Sequence, residues 1–244
     1  MLPQLDVDEN SGRFYRMRKD SIDFAKGDGE MFHVPFDKRY LVSAQRYSIP
    51  GYPALYLEGD FFTAWCELDK PSLVGLSYAA FKFKDHLKFL DLGLPYTKES
   101  SLWEKYALFA MYPILIACMV RVKFPSAPFK PEYIMPQLMM KLVRDHGKYF
   151  QGTVYMSNKI PANSVLFNIT SRNLVVCVYN TLCKFGYDKS LAAKMMMTDI
   201  ITLTQEQVDS SISYDGKLYR VNLESLVSSV KKYHDINVPM NLNS

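Results

Sequence analysis

The chain is 244 residues long, 48% apolar, 22% charged and 14% aromatic. That balance excludes a disordered chain, and 11 Gly and 13 Pro without a period exclude collagen-like and low-complexity classes. The formal charge of +4 comes from scattered Lys and Arg, which argues against nucleic-acid binding, whose signature is a clustered basic face.

The first ten residues are acidic and polar, unlike a secretory signal. Phe14 begins a mixed aromatic and basic segment, and residues 20–30, with Gly27 and Gly29, read as a loop. Turn residues continue to Pro50-Gly51, and Ala54 to Leu57 then forms a short apolar strand. Asp60 is placed to cap a helix from Phe61 to Leu68. Leu73 to Phe83 and Leu87 to Leu92 have strand composition.

Ser100 or Ser101 is positioned to cap a long helix that includes Trp103, Leu108, Met111 and Ile114. Its apolar run, Tyr106 to Val120, is shorter than the roughly 17 to 25 residues of a membrane span and holds Pro113, so a kinked, buried helix is expected. Pro136 suits the first turn of a further helix, with Gly147 as its stop. Gly152 to Met156 and Asn173 to Tyr179 read as strands, the second apolar enough to be central. Asp188 would cap a helix running through Met195, Met196 and Met197, the methionines serving as core filler. Tyr214 to Lys217 reads as a hairpin turn, and a last helix runs from about Leu223 to Lys232 with an apolar stripe of Leu223, Leu226 and Val227.

The expected fold class is therefore α+β with a mixed, partly antiparallel sheet and flanking helices. One domain is expected over residues 1–244, with a core at about 14–180 and an extension at 181–244 packed on it. Cys66, Cys118, Cys177 and Cys183 lie in apolar segments without metal-ligand spacing, so no metal is expected. Free buried thiols and the absence of a signal or span fit a cytoplasmic protein.

The chain lacks a phosphate-binding glycine loop, a dinucleotide fingerprint, a nucleophile elbow and a zinc-protease helix. One block is specific. Gln45-Arg46-Tyr47-Ser48-Ile49-Pro50-Gly51-Tyr52-Pro53-Ala54-Leu55-Tyr56-Leu57 is followed by Thr63-Ala64-Trp65-Cys66-Glu67, with Arg46, Tyr56 and Glu67 separated by ten and eleven residues. This block resembles the signature of the RES domain family, named for an Arg, a Glu and a Ser. The third name-giving residue would be Ser157, after the strand at Gly152 to Tyr155, with Ser164 and Ser171 as nearby alternatives. Phe14 to Arg18 and Met31 to Pro35 resemble the family's entry strands. The resemblance runs from about Phe14 to Tyr179, and Thr63 to Cys66 are bulkier than is usual in the family.

The resemblance implies an ADP-ribosyltransferase-like fold and a toxin that degrades NAD by cleaving its nicotinamide–ribose bond, with water or phosphate as acceptor. It implies NAD as substrate, no further cofactor beyond phosphate as co-substrate, and an Xre-type antitoxin as partner. A homodimer is allowed, and neither a membrane nor direct nucleic-acid binding is expected. Glu67 would stabilise the cationic ribose, because cleavage of an N-glycosidic bond builds positive charge on the sugar. Arg46, helped by Arg16, would grip the pyrophosphate through paired hydrogen bonds. Tyr56 would stack on the nicotinamide or bond the ribose, Tyr15 would line the NAD site, and Ser157 would bond the ribose or position the acceptor. The alternatives are ADP-ribosylation of a macromolecule and a non-catalytic binding module of the same fold.

Overall fold

The strongest strand signals in the sequence become the middle of one sheet. A computed structural model describes residues 3–19, 22–93, 102–147, 149–160, 172–179, 183–214, 219–227 and 232–238. The first strands are β1 (Gln4–Val7), β2 (Phe14–Arg18), β3 (Ala54–Glu58), β4 (Ser77–Phe83) and β5 (Leu87–Asp91), with helix α1 (Phe61–Glu67) after β3. Helices α2 (Leu102–Met119) and α3 (Ile134–Asp145) precede β6 (Gly152–Met156) and β7 (Arg172–Cys177). The remainder comprises α4 (Lys189–Ala193), β8 (Met195–Thr198), β9 (Ile201–Thr202), α5 (Gln205–Ser211), β10 (Ile212–Tyr214), β11 (Tyr219–Val221), α6 (Leu223–Val227) and β12 (Tyr233–Asp235).

Ten strands form one open sheet in the order β1-β5-β6-β7-β3-β2-β4-β8-β12, with β9 paired to β4. Among the described residues only the β5–β6 pair is parallel. The α+β expectation is met. β7 is central, as its apolar run requires, because a strand covered on both faces cannot alternate with polar residues. At Gly152 on β6 a Cβ would fall 1.9 Å from the Val175 carbonyl oxygen, so β6 and β7 approach too closely there for any side chain.

Strand alternation sorts the side chains into two layers. Leu55, Leu57, Phe81, Val154, Leu174 and Val176 point to one face, where they meet Met31 and Phe36 from two 3₁₀ segments, Phe32 between those segments, and Leu191 and Ala192 of α4. The opposite face carries two clusters. One packs Tyr15 and Tyr78 under α1, α5 and α6, and the other packs Tyr155, Val175 and Cys177 under α2 and α3.

Several local expectations change. Met31 to Pro35 is not a strand; it ends one 3₁₀ segment and continues as irregular chain, with His33 buried. The methionine run is strand β8 rather than helix: α4 is capped by Asp188 but ends at Ala193. Met195 and Met197 alternate into the core beside Phe83 and Phe81, a period of two that three identical residues conceal. The last helix is described from Leu223 to Val227, residues 228–231 of its expected span lie outside the described residues, and Tyr233–Asp235 is an edge strand. Gly147 does follow α3, but the close approach of the Tyr179 ring demands it, since a Cβ would lie 2.3 Å from that ring. α2 continues through Pro113, yet it is buried on one side only: Leu115 is fully buried, whereas Phe109 is 80% exposed. A helix apolar all round carries no stripe to say which side faces water. The caps at Ser100 or Ser101, the boundary at Asn180 and the turn at Asp215 to Lys217 lie outside the described residues, although β10 and β11 pair on either side of that turn.

All four cysteines are free thiols, with Cys66, Cys118 and Cys177 buried. Among the described residues no helix is long and apolar enough to cross a membrane.

Candidate active site

A row of polar side chains crosses the sheet where the two clusters of the helix-covered face meet. Tyr155 on β6 pairs with Asn173 on β7, Asn173 pairs with Glu58 on β3, and Glu58 pairs with Tyr15 on β2. Residues directly opposite in a ladder share a face, so the four stand side by side. Tyr56 joins that face two residues before Glu58.

The chain then leaves β3 through Gly59 and enters α1 over the same face. Asp60 caps α1 by accepting from the Thr63 N–H at 2.8 Å and from the Thr63 hydroxyl at 2.7 Å, which sets the helix start and the direction of its last turn. Glu67 ends the helix. Its Oε1 accepts from Ser157 Oγ at 2.7 Å and from Asn173 Nδ2 at 2.7 Å, both short contacts of the charge-assisted kind. Its Oε2 takes no hydrogen bond among the described residues. Ser157 follows β6, is fully buried, and also accepts from the Lys159 N–H at 3.2 Å. An ion pair between Lys159 and Asp69 ties the segment after Ser157 to the end of α1.

Glu58 is the second carboxyl of the row. Burial pushes it up to about 8, the Arg16 guanidinium pulls it down by less, and the negative charge of Glu67 adds to the rise. At neutral pH it is mainly protonated. Arg16 donates Nη1 to the Tyr56 carbonyl at 3.1 Å, and its Nε is buried without a partner among the described residues. Burial lowers its affinity for a proton. The buried Oδ1 of Asn173 is also unpaired among those residues. Tyr56 shares a 2.6 Å hydrogen bond with Ser48 Oγ, and burial raises its phenol well above the ordinary range.

Arg46 occupies the rim. Its Nη1 donates to the carbonyls of Cys118 at 2.9 Å and Val120 at 2.8 Å, and its guanidinium lies 5.6 Å from the centre of the Tyr133 ring. Carbonyls at a helix end lack intrahelical partners and carry partial negative charge, so a cation suits them. Asn158 donates to the intervening Met119 carbonyl at 2.9 Å. The end of α2 therefore links Arg46 to the residue beside Ser157. Arg46 makes no hydrogen bond to Glu67, Tyr56 or Ser157, and its Nε and Nη2 have no hydrogen-bond partner among the described residues.

The structure thus joins Glu67 and Ser157 directly, sets Tyr56 on the same sheet face, and holds Arg46 one helix end away. Tyr15 packs edge-on against Phe61 in the apolar cluster, at 6.2 Å between ring centres, and Arg16 braces the backbone of β3. Ser164 and Ser171 lie outside the described residues. Glu58 and Asn173 are absent from the residues that the sequence singles out. The period of two from Tyr56 to Glu58 holds a signal for Glu58, whereas Asn173 reads only as the polar edge of an apolar strand.

No protein-family model matches the chain, and no solved structure matches it. A protein of Bacillus subtilis (strain 168) named "Putative toxin YopC" is 34% identical over 169 residues, which cover 63% of this chain and 38% of that protein. The chain is similar to a protein that bears a toxin's name. It spans less than two fifths of that relative's length.

Proposed function

We propose that the protein is a toxin-like enzyme that breaks the nicotinamide–ribose bond of NAD and passes the ADP-ribosyl group to water or phosphate. The observation that carries this reading is the Glu67 carboxylate, held on one oxygen by Ser157 and Asn173 with the other oxygen unengaged among the described residues. The similarity to a toxin-named protein and the resemblance of the Arg46 to Glu67 block to the RES family support it.

The C–N bond to nicotinamide breaks with its electron pair leaving on the ring nitrogen, and positive charge grows on the ribose. An oriented carboxylate stabilises that charge more than the neutral ground state, which is what accelerates a reaction. Two donors on Oε1 fix the carboxylate's plane, and the protonated Glu58 keeps a second negative charge from competing for the same cation. Tyr56, its hydroxyl held by Ser48, offers a flat ring for the nicotinamide. Arg46 keeps Nε and Nη2, unbonded among the described residues, for the pyrophosphate. The acceptor oxygen then bonds to the anomeric carbon, and a water acceptor gives up one proton.

Purified protein incubated with NAD should release free nicotinamide. The other product should be ADP-ribose in phosphate-free buffer, or its 1-phosphate if phosphate is the acceptor. No nicotinamide release under either condition, or ADP-ribose found only on a macromolecule, would overturn this reading.

A further inference from the structure

The sharpest departure from the expected fold is an apolar helix face left in water. On α2 and one residue past its end, Leu102, Tyr106, Phe109, Pro113, Ile116 and Val120 are all exposed. They recur at intervals of four, three, four, three and four, the spacing of a seam that keeps facing a partner helix. The neighbouring helix α3 extends the surface with Ile134, Leu138 and Leu142, also exposed. Together these residues leave roughly 900 Å² of apolar surface in water, about what one partner buries in a stable protein interface and more than ordinary monomers expose.

We propose that this α2–α3 face is the interface of a two-fold homodimer, with α2 packed antiparallel on α2 of a second copy. Three features favour a second copy as the occupant. In the antiparallel register centred on Met111, Leu102 faces Val120, Tyr106 faces Ile116 and Phe109 faces Pro113. The bulky half of the seam thus meets the compact half twice, as a two-fold contact requires. The seam carries no charge, so self-docking brings no like charges together, and no oppositely charged partner is called for. A membrane-surface helix would carry a polar face rich in Lys and Arg, whereas the charged residues of α2 are Glu104 and Lys105 alone.

Sedimentation velocity of the full chain at micromolar concentration tests this. The expected species has twice the 28.2 kDa mass of the chain. Phe109→Glu and, separately, Leu138→Glu should each give a monomer with an unchanged circular dichroism spectrum, because both side chains are already exposed in the single copy. Either variant suffices if the other fails to fold. A wild type that stays monomeric at about 100 µM overturns the proposal, since a stable interface of this size holds well below that concentration. A dimer that both folded variants leave intact overturns it equally.

Discussion

The two faces of β3, β6 and β7 carry opposite chemistry on the same backbone. One face holds Leu55, Leu57, Val154, Leu174 and Val176, each at 0 or 1% exposure, packed against other apolar groups. The other carries Tyr56, Glu58, Tyr155 and Asn173, with the buried Asn173 Oδ1 left unpaired among the described residues. The first face stabilises the fold by removing apolar surface from water. The second is costly, because buried polar groups lose water and a carboxyl such as Glu58 must hold a proton to stay there. A sheet that accepts this cost on one face alone separates what holds it together from what it does.

Substitution on each face should therefore fail in a different assay. Glu67→Gln should lower nicotinamide release by about a hundred- to a thousandfold, the scale of losing an oriented charge stabiliser, while the melting temperature stays within a few degrees. Near-normal turnover by the folded variant would sink the assignment. Leu57→Ala on the dry face should cost about 3 kcal/mol in urea unfolding, yet leave turnover per folded molecule unchanged. Arg46→Lys should raise the KM for NAD almost as far as Arg46→Ala, because a point charge cannot grip a pyrophosphate as a fork does. Recovery of wild-type KM in the lysine variant would remove Arg46 from the site.

Glu58 offers a pH test of the polar row. The folded protein holds its proton up to about 8, whereas the unfolded chain releases it near the ordinary 4.5. The folded state therefore binds more protons between those values, and stability falls as pH rises through that window. Glu58→Gln should remove that slope and gain on the wild type by on the order of 4 kcal/mol at pH 8. Parallel stability curves for the two proteins would show Glu58 to be ionised and solvated. The smallest effect is expected at Ser157→Ala, about a tenfold loss in turnover, because Asn173 still holds Glu67.

Local chemistry was readable before the fold. The Asp60 cap, the bounds of β6 and the apolar run of β7 are all written in adjacent residues. They follow from alternation and capping, which act within a few positions along the chain. The contacts of Glu67 are of another kind. Ser157 lies 90 residues away and Asn173 lies 106, and both arrive only because β6, β7 and β3 are neighbours in the sheet. Likewise, the composition of α2 foretold a helix but not its exposed side, and the methionines of β8 showed their period only against β4. Strand order and the choice of buried face are settled by how distant apolar surfaces pack together, and no short stretch of sequence contains that choice.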